Sequence, residues 1–330
     1  MKVLVYSIFG FDKPFMEKAA HSNHELIFTE QHLNLNTAYL AQGFDAVSIF
    51  ICDDATEPVL QKLYACGVKY IALRALRSDL IDITRAKSLA IKVANVPMSS
   101  PYSVAEHAVA LILALNRKLV LGQSLMDLGD YRMDHLIGFD LHGKTIGVIG
   151  TGKTGATFAR IMHAFGCQIL AFDTEENKEL MSEINISYRS LEDVCANSEV
   201  LSVHSVWNKS SKHMFNKTTF SMFKKGMIFI NTAHEGYINT EDLIEAIANK
   251  TLGAVGLDVY ENGHSVFFQD HKESPITDRL FLKLRSYPNV MITGHQGIMT
   301  NETLEDVANT TIANLNAWAY NGISENEING

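Results

Sequence analysis

The chain has 330 residues, of which 47% are hydrophobic and 20% are charged. This length favours two globular domains over one, and the apolar content suffices for two cores. The formal net charge of −9 excludes a general affinity for nucleic acid or for an anionic membrane surface. No stretch reaches the roughly 20 apolar residues needed to cross a bilayer, so we expect no membrane span. The short N-terminal apolar run predicts a first strand and no signal peptide.

The cysteines are scattered through the chain without a CxxC pair. They are Cys52, Cys66, Cys167 and Cys195. This pattern predicts reduced, mostly buried thiols and a cytoplasmic location.

The first hundred residues alternate between strand-like and helix-like segments. Apolar runs at 2–7, 46–51, 69–73 and 92–96 predict strands, and residues 59–66 have helical spacing. Strands separated by helices indicate a parallel sheet with helices on both faces.

Two prolines, Pro97 and Pro101, precede a long apolar helix predicted over residues 104–121. Because this segment is apolar around most of its circumference, we expect it to be buried between two domains. The first crossing between domains is therefore placed near residues 98–101.

A second α/β unit begins at Lys144 and has the alternation of a doubly wound sheet. Its predicted strands are 145–149, 168–173, 200–204, 227–231, 254–258 and 290–293, and its predicted helices include 156–165 and 241–249. A helix predicted over 301–320 returns to the first domain. The predicted fold is α/β with two doubly wound parallel-sheet domains, a Rossmann cofactor domain (100–296) inserted into a flavodoxin-like substrate domain (1–99 and 297–330).

A glycine-rich loop, Gly150-Thr151-Gly152-Lys153-Thr154-Gly155, joins the first strand of the second unit to its helix. In the GxGxxG pattern, the first glycine permits a tight turn and the second lets the backbone approach a pyrophosphate. The third allows close packing of helix on strand. The helix N-terminus offers free N–H groups and a positive dipole to phosphates.

Asp173 ends the next predicted strand, about 20 residues after the loop, where Rossmann domains carry a ribose-binding acid. A carboxylate there accepts hydrogen bonds from a 2′-hydroxyl and repels a 2′-phosphate, so NAD is favoured over NADP. The alternative is a glycine turn without a ligand and an ordinary surface aspartate. The agreement of strand, loop, helix and acid favours the dinucleotide site.

Motifs along nearly the whole chain resemble the D-2-hydroxyacid dehydrogenase family, and most closely its fermentative D-lactate dehydrogenases. They are GVKYIALR (67–74), VAEHAVALILALNRK (104–118), GKTIGVIGTGKTG (143–155), FD (172–173), GLDVYEN (256–262) and NVMITGHQ (289–296). The resemblance implies hydride exchange between the nicotinamide and C2 of a 2-keto or 2-hydroxy acid, a small anionic substrate. It also implies an active site between the domains and a homodimer or homotetramer built through the cofactor domains.

On this basis the cofactor-binding residues are expected to lie in the glycine loop and at the following strand ends. They are Gly150, Gly152, Lys153, Thr154, Gly155, Asp173, His204, Val206, Thr232, Ala233 and Asp258. Val206 stands where the family usually has proline, a mild change on the cofactor side.

The substrate side departs from the family pattern at all but one position. His295 in TGHQ matches the histidine that gives a proton to the nascent alkoxide. The substrate-binding arginine is replaced by His234, and the glutamate that holds the histidine is replaced by Gly263. Arg77 occupies a glycine's place in the loop that binds the substrate carboxylate, and Ser99 replaces an aromatic residue.

These replacements weaken the expected chemistry, because a neutral imidazole cannot form the bidentate fork of arginine with a carboxylate. We expect a loss of roughly a hundredfold or more in rate. Glu261, Glu235 or Arg77 are candidates to compensate, and Arg77 is the most suggestive. The alternative for Arg77 is a solvated loop residue. A metal site of His234, Glu235, His264 and His295 is not favoured, because none of them has a close ligand spacing.

Three hypotheses follow. The first is an NAD-dependent oxidoreductase with an altered substrate, in which His295 donates the proton and Arg77 or His234 contacts the anion. The second is a catalytically silent NAD(H)-binding protein, a sensor or partner subunit. The third is a weak residual D-lactate dehydrogenase. The retained His295 favours an enzyme, whereas the joint loss of arginine and glutamate favours the catalytically silent protein.

Overall fold

The computed structural model describes residues 1–21, 23–97 and 100–328. The chain divides into two compact units, Met1–Ser100 with Met299–Gly330, and Pro101–Ile298. Each unit contains one sheet in which every strand pairing is parallel, which confirms the α/β class. Part of the predicted crossing, Met98 and Ser99, lies outside the described residues. No helix in the described ranges is both long and apolar enough to cross a membrane.

The sheet of the first unit has five strands in the order β2-β1-β3-β4-β5. They are β1 (Lys2–Val5), β2 (Glu25–Phe28), β3 (Ala46–Ile49), β4 (Tyr70–Leu73) and β5 (Lys92–Ala94). All four residues of β3 are buried, whereas β2 at the sheet edge is half exposed. The carboxyl ends of β1, β2 and β3 therefore lie side by side at one edge of this sheet.

The sheet of the second unit has seven strands in the order β12-β11-β10-β9-β6-β7-β8. They are β6 (Thr145–Ile149), β7 (Gln168–Phe172), β8 (Ile186–Tyr188), β9 (Val200–Val203), β10 (Met227–Asn231), β11 (Leu252–Leu257) and β12 (Val290–Ile292). The strand order reverses between β6 and β9. In open parallel sheets, ligands bind outside the carboxyl ends of the strands at such a switch point.

Helices connect the strands in both units. They are α1 (Lys13–Ala20), α2 (Glu57–Ala65), α3 (Ile83–Ser88), α4 (Pro101–Asn116), α5 (Leu119–Asp127), α6 (Lys153–Ala164), α7 (Lys178–Glu183), α8 (Leu191–Asn197), α9 (Lys217–Ser221), α10 (Thr240–Ala248), α11 (Arg279–Arg285) and α12 (Asn301–Asn321). In the first unit α12 packs against α1, and its residues Ala308, Ile312 and Leu315 share a core with Val3 and Val5 of β1.

The single helix predicted over 104–121 is two helices in the structure. It is interrupted at Lys118, whose backbone is left-handed with φ of 51°. α4 buries Ala105, Ala108, Leu111 and other apolar residues in the core of the second unit, where it contacts α6, β10 and β11. α5 buries none of its residues.

Phe229 of β10 is fully buried, and its ring packs against those of Phe215, Phe220 and Phe223 at centroid distances of 4.9 to 5.9 Å. We expect Phe229→Ala to reduce the free energy of unfolding by about 3–5 kcal/mol, because the neighbouring rings cannot close the cavity. Thermal and urea unfolding measure the change. Phe165→Ala is the control, since Phe165 is 40% exposed; equal losses in the two variants would contradict this view of the core.

Candidate cofactor and active site

The glycine loop follows β6 and leads into α6, and each of its three glycines has a distinct environment. Gly150 has φ of +89°, and a Cβ on it would lie 2.4 Å from the backbone of Ser205. A Cβ on Gly155 would lie 1.9 Å from the carbonyl oxygen of Gly150. A Cβ on Gly152 would meet no atom within 4 Å. The first and third glycines thus allow close packing, and the second borders open space.

This arrangement fits a dinucleotide pyrophosphate. The open space beside Gly152 lies at the N-terminus of α6, which begins at Lys153, so the N–H groups of its first turn can be offered to phosphate oxygens. The side chain of Lys153 is exposed and that of Thr154 is half-buried. Their predicted contacts with the cofactor remain predictions.

Asp173, directly after β7, holds the glycine loop. Its Oδ2 accepts hydrogen bonds from the backbone N–H of Thr151 at 2.5 Å and from the Thr151 hydroxyl at 3.0 Å. Partial burial raises the pKa of Asp173, but the hydrogen bonds from Thr151, Thr174 and Glu175 outweigh that effect and hold it below its ordinary value. The side chain is therefore an ionised acceptor beside the loop, as binding of a ribose hydroxyl requires.

Two buried polar atoms at the ends of β9 and β10 have no hydrogen-bond partner among the described residues. They are Nδ1 of His204 and Oγ1 of Thr232. His204 hydrogen-bonds Ser202 through Nε2 at 2.9 Å and packs on Phe158, and burial lowers its pKa to about 3, so its ring is neutral. Buried polar atoms without partners are uncommon in proteins, and a bound cofactor would satisfy them. Both residues were predicted to lie on the cofactor side.

Two further predicted cofactor residues lie beside these strand ends. Val206 is 85% exposed, and Ala233 is half-buried. Neither side chain has a polar group that would identify a ligand, so their roles also remain predictions.

The turn that carries His295 is held by Asp258, at the end of β11. The Asp258 carboxylate accepts hydrogen bonds from the Thr293 hydroxyl at 2.5 Å and from the backbone N–H groups of Gln296 and Gly297 at 2.7 and 2.8 Å. His107 Nε2 lies 3.2 Å away, a contact that the sequence analysis missed because α4 is distant in sequence. The backbone of His295 is left-handed with φ of 60°, a conformation that residues other than glycine adopt rarely.

His234, which the motif comparison predicts to replace an arginine, is 7% exposed and fixed between neighbours. Its ring stacks on Trp207 with centroids 4.5 Å apart and planes 8° from parallel. Its Nδ1 accepts a hydrogen bond from the backbone N–H of Gly236 at 2.8 Å. Because Nδ1 accepts this bond, the tautomer that fits the structure carries its proton on Nε2. The Trp207 stack had no signal in the sequence.

Glu261, one candidate to replace the missing glutamate, binds elsewhere. Its carboxylate accepts hydrogen bonds from Thr240 through both its N–H and its hydroxyl, and Oε1 lies 2.8 Å from Nε2 of His213. Gly263, which the motif comparison predicts to replace that glutamate, is buried, and a Cβ there would lie 3.1 Å from the ring of Phe267.

The remaining candidates are placed as follows. Arg77, in the first unit, forms an ion pair with Asp79 two residues along the chain, with Nη2 2.5 Å from Oδ2. Glu235 Oε2 lies 3.6 Å from Nδ1 of His234, and His264 is exposed. Ser99 lies outside the described residues.

The open space at Gly152 provides a test of the cofactor site. Because Gly152 has φ of −61° and no neighbour to clash with, Gly152→Ala should fold with unchanged stability. We expect it to bind NADH at least about tenfold more weakly, since its Cβ occupies the pyrophosphate space. Fluorescence titration of NADH measures this, with circular dichroism as the check on folding. Unchanged affinity in a folded variant would contradict the assigned site.

Asp258 provides a test through pH. Burial raises the pKa of Asp258, but hydrogen bonds from His107 and Thr293 and the charge of His295 outweigh it, so the pKa lies below the ordinary 3.8. A carboxylate with a depressed pKa contributes stability above its unfolded pKa, and that contribution is lost as pH falls through the folded value.

We therefore expect Asp258→Asn to destabilise the protein by about 1.5–3 kcal/mol at pH 7. The gap to the parent protein should narrow below about pH 4. Urea unfolding at several pH values measures it, and exposed Asp270 supplies the control variant Asp270→Asn. A gap that stays constant with pH would show that the effect is steric and not ionic.

Comparison with known proteins gives one consistent answer. A family model described as "D-isomer specific 2-hydroxyacid dehydrogenase, NAD binding domain" matches residues 109–297. The D-lactate dehydrogenase of Escherichia coli is 37% identical over 329 residues, 99% of this chain and 100% of that protein. A 2-hydroxyacid dehydrogenase homolog of Zymomonas mobilis is 36% identical over 317 residues, 96% of each chain.

A solved structure agrees with these relatives. The pyruvate reductase of Chlamydomonas reinhardtii superposes with a TM-score of 0.93 at 35% identity, covering 99% of this chain and 98% of that one. The resemblance found in the sequence is confirmed, as are the fold class and NAD as the cofactor. The chain belongs to the D-isomer specific 2-hydroxyacid dehydrogenases, a family of NAD-dependent oxidoreductases.

Proposed function

We propose that this protein is an NAD-dependent oxidoreductase of the 2-keto and 2-hydroxy acid class whose substrate differs from lactate, or whose lactate activity is much reduced. One observation carries the proposal. The glycine loop leaves open space beside Gly152, and Asp258 holds the turn of His295 by hydrogen bonds. At the position predicted for the substrate-binding arginine, His234 stacks on Trp207. A chain with these features can bind NADH as the hydride donor and offer His295 as the proton donor. It binds the substrate anion differently from the family pattern.

NADH, when bound, supplies the hydride that reduces a keto carbon. His295, in the turn held by Asp258, donates a proton to the oxygen of that carbon and recovers it in the reverse direction. His234 cannot form the bidentate, fully charged fork of an arginine with a carboxylate. Arg77, in the first unit, is paired with Asp79, which offsets part of its charge. We propose that the replacement of the arginine by His234 selects an anion bound less tightly than in the family pattern.

A second candidate function is a catalytically silent NAD(H)-binding protein that acts as a sensor or a partner subunit. The engagement of Glu261 by His213 and Thr240 favours it, because that carboxylate is committed to another part of the unit. Weak residual D-lactate dehydrogenase activity is the third.

The assembly and location belong to the same proposal. A homodimer or homotetramer through the second unit is supported by α5, which exposes Leu119, Val120 and Met126 and buries none of its residues. Light scattering after gel filtration measures the mass. The cysteines are all free thiols, which supports a cytoplasmic location.

The deciding experiment uses the purified protein with NADH and a panel of 2-keto acids, and follows the near-ultraviolet absorbance of NADH. We expect turnover of at least one member, lost at least a hundredfold in His295→Ala, because the proton donor is removed. His264→Ala, at an exposed histidine of the same unit, should keep full activity. NADH binding without turnover of any acid supports the silent protein. Pyruvate reduction at an ordinary dehydrogenase rate would contradict both the altered substrate and the silent protein.

A gain-of-function variant tests the explanation for the altered substrate. We expect His234→Arg with Gly263→Glu to raise pyruvate reduction about a hundredfold, since it restores the fork and the acid that supports His295. Each single variant should gain less, because the two groups act together. The side chain at 263 must displace the Phe267 ring by a few tenths of an ångström. A folded double variant with no gain would mean that other residues also bar pyruvate.

A further inference from the structure

A second cluster of reactive side chains lies in the first unit, beyond the carboxyl ends of β1, β2 and β3. His32, Cys52 and Asp53 each present a possible ligand atom there, and these atoms all lie within 4.8 Å of one another. Nδ1 of His32 lies 3.4 Å from Sγ of Cys52. The hydroxyl of Ser7 lies between them, 2.6 Å from His32 Nδ1, 2.6 Å from Asp53 Oδ1 and 3.6 Å from Cys52 Sγ.

The backbone holds this cluster firmly at its base. Asp53 is 1% exposed, and its carboxylate accepts hydrogen bonds from the backbone N–H groups of Leu33 at 2.6 Å and Phe50 at 2.7 Å. These bonds fix Asp53 against the loops that carry His32 and Cys52. Both of those side chains are half-buried, so they can be reached from solvent. Asp53 is therefore held in place by the backbone, whereas His32 and Cys52 are accessible to solvent.

The buried groups around the cluster carry more negative than positive charge, because Asp12 and Asp53 are near a single guanidinium, that of Arg74. The nearby guanidinium of Arg74 is 1% exposed and faces Asp12, with Nε 3.4 Å from Oδ2. Its remaining hydrogen bonds go to the hydroxyl of Ser48 and to the carbonyl oxygens of Tyr6 and Ser7. Within the described residues, no side-chain cation lies within 4 Å of the Asp53 carboxylate. A cation bound beside this buried carboxylate would supply the ion-pair partner that it lacks within 4 Å.

We propose that His32 Nδ1, Cys52 Sγ and the Asp53 carboxylate form a binding site for a divalent cation of the zinc type. Thiolate, imidazole and carboxylate are the ligand classes that Zn²⁺ takes in proteins. A tetrahedral Zn²⁺ with its usual bond lengths would separate a sulfur and a nitrogen ligand by about 3.6 Å. The observed 3.4 Å between Cys52 and His32 is close to that separation.

The Ser7 hydroxyl contacts all three proposed ligand residues, so a bound cation takes the place of these hydrogen bonds. Three protein ligands leave one coordination position for water or for an oxygen of a small molecule, which is the arrangement of zinc sites that bind exchangeable ligands. Binding displaces the thiol proton of Cys52 to solvent as the metal–sulfur bond forms.

A reactive thiolate is the obvious alternative for Cys52, and the surroundings oppose it. The Cys52 thiol contacts Ser7 and His32 and lies beside the Asp53 carboxylate, and among the described residues no lysine or arginine contacts it. Nucleophilic cysteines instead lie in electropositive surroundings that lower the thiol pKa. The cation site is independent of the proposed redox function, since none of its ligands belongs to the glycine loop or to the turn of His295.

The test loads the full-length, metal-stripped protein with Co²⁺, a spectroscopic substitute for Zn²⁺. A cobalt–thiolate bond produces a charge-transfer band in the near-ultraviolet, whereas surface histidines alone do not. We expect one equivalent of Co²⁺ to produce this band, and Zn²⁺ to displace it. Cys52→Ser should abolish the band, and His32→Asn should weaken Zn²⁺ binding at least tenfold by calorimetry.

Cys66→Ser is the matched control, because Cys66 is a half-buried thiol of the same unit that lies outside the cluster. It should leave the band and the affinity unchanged. The proposal is overturned if the parent protein shows no thiolate band, if folded Cys52→Ser keeps it, or if Cys66→Ser removes it equally. Should Cys52→Ser not fold, the His32→Asn titration decides alone, and unchanged Zn²⁺ affinity there overturns the site. NADH turnover is not a readout, so failure here leaves the proposed function standing.

Discussion

The close approach of Gly150 to Gly155 is the constraint on which the second unit depends. A side chain on Gly155 would overlap the carbonyl oxygen of Gly150, and one on Gly150 would overlap the backbone of Ser205. The loop can therefore pack against both α6 and the segment after β9 only because both residues are glycine. That contact sets the direction of α6 and places its first N–H groups beside the open space at Gly152. Asp173 holds the same loop from the next strand. A change in the packing of α6 would therefore also move the N–H groups that face the open space at Gly152.

The sequence predicted those parts of the fold whose signals are local. Strongly apolar central strands such as β3, β6 and β10 were found because each is a continuous buried run between turn residues. Two edge strands, β2 (Glu25–Phe28) and β8 (Ile186–Tyr188), were missed, because they are short and half exposed. The break at Lys118 was missed as well, since a left-handed lysine inside an apolar helical pattern has no local signature.

The sequence proposes positions for the site but does not predict their contacts. Motif matching proposes His234, Gly263 and His295 as site residues, yet it could not say what surrounds them. The stack of Trp207 on His234 joins residues 27 positions apart, and Glu261 reaches His213 across 48 positions. The pairing of His32 with Cys52 depends on parallel strands bringing their ends together. Such partnerships follow from the three-dimensional arrangement of the sheet and have no mark in a single sequence.

The two buried polar atoms without hydrogen-bond partners, His204 Nδ1 and Thr232 Oγ1, affect how stable the protein is in a cell. Each costs the ligand-free fold roughly 1–3 kcal/mol of desolvation that a bound partner can relieve. A ligand that binds only the native state lowers the unfolded fraction in proportion to its free concentration over its dissociation constant. The abundance of this protein would then follow the dinucleotide supply through its rate of degradation, even if it turned over no substrate at all.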